Sequence, residues 1–456
     1  MIRVGKMSIK TDLLKSLLYF TLACGGIVLF PSVSHAGIHY VSPAGNSAWS
    51  TCTVINSSCS WQTAMANAVA GDTVYFRGGT YDPGASCPSE WDLVGIGPQN
   101  SGTASSPITF KAYPGENPVV LSCTNSMPAF GAVNVSYIVW DGFSGTTIDN
   151  PPTAANPNGG EVWLFLYWNS TGSIVKNCNF TGNARTVYKN AATIRIEQSS
   201  SNEVANNFIQ GMTGNSNAVN TAAIWLFDAK GAQVHNNTIF NCMNGIMQKT
   251  GPNVNNAIYK NFIYSMTLEG IVLDEQASGG SGDTIYQNVL VNVGSIAIDV
   301  YPDTDVDEYQ SNYQIYNNTV YGKSTGIETG QDARNNQIWN NIIQQVSADE
   351  GHPLLRYYTG ASMPSYSNYN DFYSPSALWN LNYTTDYSSL AEWTAATGFD
   401  ANSVLTDPQF IAPGGTNVAN YKRKSYPANG KGGSVMGAYM TGNESIGRIP
   451  PPAHLR

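Results

Sequence analysis

The sequence predicts an all-β protein, folded as a right-handed parallel β-helix with an N-terminal capping helix and an irregular C-terminal cap. A short pattern carries this prediction: an apolar residue, an Asn three places later and a second apolar residue, returning every 23–30 residues. Variable spacing around a constant kernel is typical of a solenoid with loop insertions. Helical periodicity is absent over the same region. The kernel asparagines are Asn207, Asn237, Asn261, Asn288, Asn318, Asn341 and Asn370.

The chemistry of the kernel explains its form. Asn tolerates the left-handed backbone conformation that a tight corner requires. When coils stack about 4.8 Å apart, Asn side-chain amides can also hydrogen-bond to their neighbours above and below. Cys178 stands at the Asn position one coil before Asn207, so it is expected to end such a ladder. The handedness follows from the preference for right-handed crossover connections between parallel strands.

Both ends of a parallel β-helix need covers, because an open edge invites aggregation. Ser60 to Gly71 reads as a capping helix, with Ser60 as N-cap and Gly71 just past the end. Ser389 and Glu392 form a capping box that opens a short helix ending at Gly398. The predicted organisation is a signal peptide over 1–36, a β-helix with its N-terminal cap over 37–375, and a C-terminal cap over 376–456.

Composition and the first residues predict export. Basic residues, an apolar stretch and small residues over 1–36 are typical of a cleaved secretory signal, with a permanent anchor as the alternative. We therefore expect a periplasmic or extracellular protein with no membrane contact after cleavage. The net charge of −9 excludes a basic nucleic-acid binder. A monomer is expected.

Cysteine usage agrees with an oxidising compartment. Outside the signal segment there are six cysteines, and we expect Cys52 to pair with Cys59 and Cys87 with Cys123, although four cysteines allow three pairings. Cys178 and Cys242 are expected to be core residues.

Several stretches outside the kernel series resemble secreted right-handed β-helix proteins of the polysaccharide lyase superfamily. They are the sequences over 40–45, 70–81, 107–118 and 399–410. The resemblance implies the β-helix fold. It implies activity less directly, since the superfamily contains pectate, alginate and chondroitin lyases, epimerases and proteins of other roles.

Each coil also carries a second strand ten to fourteen residues before its Asn, and these strands suggest a site. Period-two alternation turns every other side chain outward on one sheet. Cations, carboxylates and aromatic rings on one face would suit an extended glycan. The predicted outward residues are Arg195, Glu197, Trp225, Lys249, Asp274, Asp299, Tyr301 and Glu328.

Two cations on this face are candidate catalytic residues. Lyases of this fold use Lys or Arg to remove the proton beside a uronate carboxyl group, so the resemblance implies that role for Lys249. The sequence departs from those enzymes at Asn244, where they carry metal-binding acids. Arg195 is expected to clamp a substrate carboxylate. The structural alternatives are a solvated Lys249 and an Arg195 ion pair with Glu197 or Asp228.

An acidic cluster on neighbouring coils predicts a Ca²⁺ site. Its proposed ligands are Asp274, Glu275, Asp299 and Asp303, because carboxylate oxygens suit this ion. A solvated acidic loop is the alternative. Asp274 and Asp299 would also permit a glycoside hydrolase with paired carboxylates.

Trp225, Tyr301 and Glu328 are the expected substrate-binding residues. The leading hypothesis is a calcium-dependent lyase that cleaves acidic, uronate-containing polysaccharide by β-elimination. A non-catalytic glycan-binding or cell-surface protein and a glycoside hydrolase remain as alternatives.

Overall fold

The structure is a computed structural model that describes residues 36–90, 92–125, 127–147, 163–182, 191–213, 220–274, 280–301, 310–347 and 352–448. The chain from Ala36 onward forms one compact unit. The predicted signal segment, apart from Ala36, lies outside the described residues. Within the described residues, no helix is long and apolar enough to cross a membrane.

Three parallel sheets build the predicted right-handed β-helix, because each coil contributes one short strand to each sheet. Sheet A contains Ile38–Val41, Thr73–Phe76, Ile108–Ala112, Ile138–Asp141, Ile174–Lys176, Glu203–Ala205, Gln233–His235, Ala257–Tyr259, Thr284–Tyr286, Gln314–Tyr316, Gln337–Trp339 and Tyr366–Asn368. Sheet B contains Gly79–Tyr81, Pro118–Leu121, Ser144–Thr146, Asn179–Thr181, Phe208–Gln210, Thr238–Phe240, Phe262–Tyr264, Val289–Val291, Thr319–Gly322, Ile342–Gln345 and Asp371–Tyr373. Sheet C contains Phe130–Val133, Trp163–Trp168, Ala192–Glu197, Ala222–Phe227, Asn244–Lys249, Ile271–Asp274, Ile296–Val300, Thr325–Thr329, Leu355–Tyr357, Trp379–Leu381 and, antiparallel at its end, Thr385–Tyr387. A small fourth sheet pairs Gln310–Ser311 with Ala333–Arg334.

Two α-helices lie among the described residues, Trp61–Asn67 and Leu390–Thr397. The hydroxyl of Ser60 accepts from the backbone N–H of Thr63, and the hydroxyl of Ser389 accepts from that of Glu392, as the capping signals predict. The N-terminal helix ends at Asn67 rather than near Gly71. The N–H of Val69 donates to the carboxylate of Asp72, and this hydrogen bond forms a turn where the helix would otherwise continue. Short 3₁₀ turns occupy Trp49–Thr51, Ile55–Ser57, Gly84–Ser86, Gly360–Ser362, Val418–Tyr421 and Lys431–Gly433.

The predicted asparagine ladder is present and continuous. From Asn207 to Asn370 each Nδ2 donates to Oδ1 of the Asn on the next coil, at 3.0–3.2 Å. The N–H of Cys178 donates to Asn207 Oδ1 at one end, and Asn370 Nδ2 donates to Asp400 at the other. Every ladder amide is fully buried, so these hydrogen bonds offset the cost of placing polar groups in the core.

The left-handed corner belongs to the residue before each ladder position, not to the ladder Asn itself. Asn206, Asn236 and Lys260 have φ of 55°, 56° and 54°. The first residue of each pair turns the chain, and the second points its amide into the ladder. This division explains why Lys260 and Gln287 can replace Asn at the turning position while the ladder position keeps its amide.

Parts of the outer faces of sheets A and B are covered by other residues of the protein. On sheet A the rings of His235, Tyr259, Tyr286, Tyr316 and Trp339 stack with centroids 4.6–5.1 Å apart, so each interior ring has both faces covered. On sheet B the segment that follows the C-terminal helix runs back across the coils. Thr238 donates to the carbonyl of Arg448, and Asn317 donates to that of Val435.

One of the two predicted disulfides is present. Cys87 and Cys123 are bonded, with their Cα atoms 5.6 Å apart. The structure differs from the prediction at Cys52 and Cys59, which are buried free thiols in contact with each other. Each thiol points at a backbone carbonyl, Cys52 at Trp49 and Cys59 at Tyr40. Cys178 and Cys242 are buried as expected, and burial raises the pKa of each to about 12.

Candidate functional site

The outer face of sheet C is the face on which the predicted site residues meet. Ile246, Ile271 and Ile298 are register partners on neighbouring coils, and all three lie in the core. Since side chains alternate along a strand, their successors Met247, Val272 and Asp299 point outward. The predicted strand registers are therefore confirmed.

Lys249 and Asp274 form an ion pair across two neighbouring coils. Lys249 is the register partner of Asp274, and Nζ lies 2.9 Å from Oδ2. Nζ also donates to Oδ1 of Asn220 at 3.1 Å. The Lys249 side chain is only 12% exposed, so it is not the solvated lysine of the alternative interpretation. Its amine is therefore held in one orientation by two acceptors.

A second charged cluster begins two strands beyond Asp274 in sheet C. Glu328 is fully buried and accepts from Arg356 Nη1 at 2.9 Å and from the hydroxyl of Tyr383. The guanidinium of Arg356 also lies 3.9 Å from the centre of the Tyr383 ring. Glu328 was predicted to bind substrate, but its carboxylate is already held by these two residues. It positions Arg356 and Tyr383 instead.

Two carboxyl groups in this region have raised pKa values. Burial, together with the charges of Glu328 and Asp274, raises the pKa of Glu269 to about 7. Burial raises the pKa of Asp299 well above its usual range, and Glu269 and Glu328 add to the effect. Asp299 Oδ1 is buried and makes no hydrogen bond to any of the residues that the structure describes. Carboxyl groups with raised pKa are frequent at catalytic sites because they can hold a proton near neutral pH.

Arg195 and Trp225 do not have the predicted roles. Arg195 Nε lies 2.5 Å from Glu197 Oε2 with both side chains buried, which is the structural alternative considered for it. Its guanidinium also stacks 4.5 Å from the ring of Trp225. Trp225 is 1% exposed, so its ring offers no face to a sugar. Period two gave the direction of both side chains correctly, but outward side chains on this part of the sheet are packed rather than exposed.

The described residues do not by themselves fit a calcium site. No group of three or more Asp, Glu, His or Cys side chains within the described ranges is arranged to hold a metal ion. Asp274 is engaged with Lys249, and Asp299 contributes a single buried carboxyl group. Two of the proposed ligands, Glu275 and Asp303, lie outside the described residues.

Tyr301, which the sequence predicts to bind substrate, is half-buried. It follows the strand Ile296–Val300, and its N–H donates to the carbonyl of Leu273, which places it beside Asp274. Glu269, Arg356 and Tyr383 complete the face, and sequence reasoning missed them. Asn244 holds Glu269 in place by accepting from its backbone N–H at 3.1 Å.

Comparison with known proteins supports the fold and the predicted resemblance. No family model matches the chain. One segment is 40% identical over 92 residues to pectate lyase PEL9 of Emericella nidulans, and the match spans 20% of this chain and 20% of that protein. The crystal structure of pectate lyase Pel9A superimposes with a TM-score of 0.55 at 15% identity, over 90% of this chain and 97% of that one. The chain is therefore a right-handed parallel β-helix protein that resembles the pectate lyases.

Proposed function

We propose that this protein is a polysaccharide lyase that cleaves an acidic glycan by β-elimination on the outer face of sheet C. The observation that carries the proposal is the aimed amine of Lys249, held by Asp274 and Asn220. The fold shared with Pel9A and the segment shared with PEL9 support this class of chemistry over others.

β-Elimination requires a positioned base and a site that accommodates the leaving group. Lys249 Nζ, the cation of the ion pair with Asp274, first releases a proton to solvent, and the neutral amine then removes the proton beside the uronate carboxyl group. The electron pair of that C–H bond forms the new C=C bond, and the glycosidic C–O bond breaks. The leaving oxygen then takes a proton from water or from a carboxyl group of the site. Asp274 and Asn220 hold the amine in one orientation, so that the lone pair of its nitrogen can face the substrate.

Dependence on Ca²⁺ is part of the proposal and rests on the likeness to pectate lyases. When bound, the ion would neutralise the substrate carboxylate and so acidify the neighbouring C–H. Because the described residues do not form a calcium site by themselves, no step above depends on the ion. Secretion after cleavage of residues 1–36, a uronate-containing substrate and a monomeric state complete the proposal.

The direct test incubates the protein that starts at Gly37 with pectate, alginate and glycosaminoglycans. Ultraviolet absorbance detects the unsaturated ends that elimination leaves and hydrolysis does not. The proposal expects absorbance to rise on one of these substrates, and to rise less after a chelator is added. Glycan binding without absorbance or new reducing ends would instead favour a non-catalytic role.

One observation favours a second candidate, a glycoside hydrolase. Asp299 and Glu328 are register partners on adjacent coils. The pKa of Asp299 is raised, while Glu328 is paired with Arg356. A carboxyl group with a raised pKa beside a second carboxyl group is the arrangement that glycosidases use. New reducing ends without ultraviolet absorbance would support this candidate.

A further inference from the structure

A short hairpin presents one aromatic ring above the outer face of sheet C. The antiparallel strands Trp379–Leu381 and Thr385–Tyr387 are joined at Tyr383, which has φ of 58°. Asn382 is also left-handed, with φ of 55°, so the two residues together make the tight turn of the hairpin. The hairpin is tied down, since Asn380 Oδ1 accepts from the N–H of Tyr383 at 2.8 Å and Asn382 Oδ1 accepts from the N–H of Thr359.

The ring of Tyr383 is held in place by its neighbours and is still partly exposed to solvent. Its hydroxyl donates to Glu328, one face lies on the guanidinium of Arg356, and Tyr358 meets it edge-on with centroids 5.8 Å apart. The residue is nevertheless 51% exposed. About half of the residue is therefore accessible to a ligand, although its hydroxyl and one ring face are engaged. An aromatic ring held in one orientation loses little entropy when a ligand stacks on it.

This exposure is unusual among the aromatic residues of the protein. In the part of the chain that the structure describes, the most exposed aromatic residues are Tyr383 at 51% and Tyr373 at 39%. The stacked rings on sheet A cover one another, and Trp225 is buried. Tyr373 lies on sheet B, away from the charged face.

Tyr383 lies at a definite distance from Lys249. Its partner Glu328 is in the strand Thr325–Thr329, three strands beyond Asn244–Lys249 in sheet C. Three steps of about 4.8 Å place Glu328 about 14 Å from Lys249 along the helix axis, and the ring of Tyr383 lies on Arg356, four steps or about 19 Å from Lys249. That distance exceeds one sugar ring and matches a short oligosaccharide lying along the sheet.

We propose that Tyr383 forms a remote sugar-binding subsite, in which its exposed ring stacks on one sugar of a glycan chain whose cleaved bond lies at Lys249. The inference rests on the proposed function, since it takes the ligand to be a polysaccharide lying along sheet C. The subsite would make Tyr383 a residue that determines specificity for the length of the glycan. Glycans long enough to span both residues gain the stacking contact, and shorter ones do not.

The test compares Tyr383→Ala, Tyr383→Phe and the matched surface control Tyr373→Ala. Affinity and kcat/KM are measured with oligosaccharides of increasing length, prepared from the polysaccharide that the protein binds or cleaves. The wild-type protein is expected to gain affinity at the length that reaches Tyr383. Tyr383→Ala should lose that gain, about three- to tenfold for long chains, and leave short ones unchanged. Tyr383→Phe keeps the ring and should retain most of the gain.

Two results would overturn the subsite. One is an equal loss at every chain length in Tyr383→Ala; the other is a loss in Tyr383→Phe as large as that in Tyr383→Ala. Either result would show that the residue acts only by holding Glu328. The two proposals fail separately, because affinity electrophoresis on intact pectate, alginate or glycosaminoglycan measures binding without turnover. Tyr383-dependent binding with no unsaturated product would contradict the lyase and keep the subsite.

Discussion

Lys249 and Asp274, one coil apart in sheet C, share an ion pair of 2.9 Å that aims the amine along the outer face of the sheet. The pair arises from register, since the two residues are direct cross-strand partners. Cross-strand neighbours of opposite charge stabilise a sheet modestly. Here the pair also fixes the position of the proposed base.

Asp274→Asn should lower kcat about tenfold or more with a smaller change in KM. The amide keeps the shape of the carboxylate but loses its charge, so it holds the amine of Lys249 less firmly. Asp228→Asn is the matched control, because Asp228 pairs with the exposed Lys230 at 3.2 Å. An Asp274→Asn variant as active as wild type would show that Lys249 needs no such partner.

Asp283→Asn should change how stability depends on pH. Asp283 is buried in a turn between sheets C and A and accepts from the N–H of Asn256, and burial raises its pKa to about 7. A folded-state pKa above the unfolded value means that Asp283 favours folding below pH 4. This contribution is lost as pH rises from about 4 to about 7, by at most about 1.4 kcal/mol per pH unit.

Chemical denaturation at pH 4, 5.5, 7 and 8 measures this effect. The stability of the Asn variant relative to wild type should rise from pH 4 to pH 7 and then stay level. Asp386→Asn, in the surface hairpin, is the matched control for loss of a carboxyl group. A difference between Asp283→Asn and wild type that is the same at every pH would contradict the raised pKa of Asp283.

Asn288→Ala should destabilise the protein by about 3 kcal/mol or more. The amide of Asn288 donates to Ile258 and Asn318 and accepts from Asn261, so the variant leaves several buried groups without partners. Each such group costs about 1–3 kcal/mol. Asn67→Ala, at the exposed end of the N-terminal helix, is the control for loss of an amide at the surface. Equal stability of the two variants would show that the ladder is dispensable.

Thiol titration of the denatured, unreduced protein should find four free thiols in the chain from Gly37. The structure pairs Cys87 with Cys123 and leaves the other four cysteines reduced. Finding two free thiols would restore the predicted Cys52–Cys59 bond. Mass spectrometry after alkylation assigns the thiols to residues in either case.

The repeating features of the fold were predictable because they recur in every coil. The ladder asparagines follow from their spacing, and the outward direction of Lys249, Asp274 and Asp299 follows from period-two alternation. The role of the residue before each ladder Asn was not predicted, because Asn-Asn pairs hide which member takes the left-handed conformation. Lys260 and Gln287 replace Asn at that position, and this substitution indicates that the turning residue, unlike the ladder residue, does not need an Asn side chain.

Burial and long-range partners of the site were not predictable from the pattern. Trp225 and Arg195 point outward as expected, yet tertiary packing covers them. Glu269 lies in a turn before its strand, and Tyr383 lies in a hairpin after the last repeat. Neither position belongs to the repeated pattern, so nothing in the spacing linked them to Lys249.

The measurement that tests the account most directly compares Lys249→Ala with Lys230→Ala on the polysaccharide that the wild-type protein cleaves. Release of unsaturated ends is followed by ultraviolet absorbance, and glycan binding is measured in parallel. The account predicts that Lys249→Ala binds the glycan and loses product formation by at least about a hundredfold, while Lys230→Ala keeps wild-type activity. Product formation that survives in Lys249→Ala would contradict the assignment of Lys249 as the base.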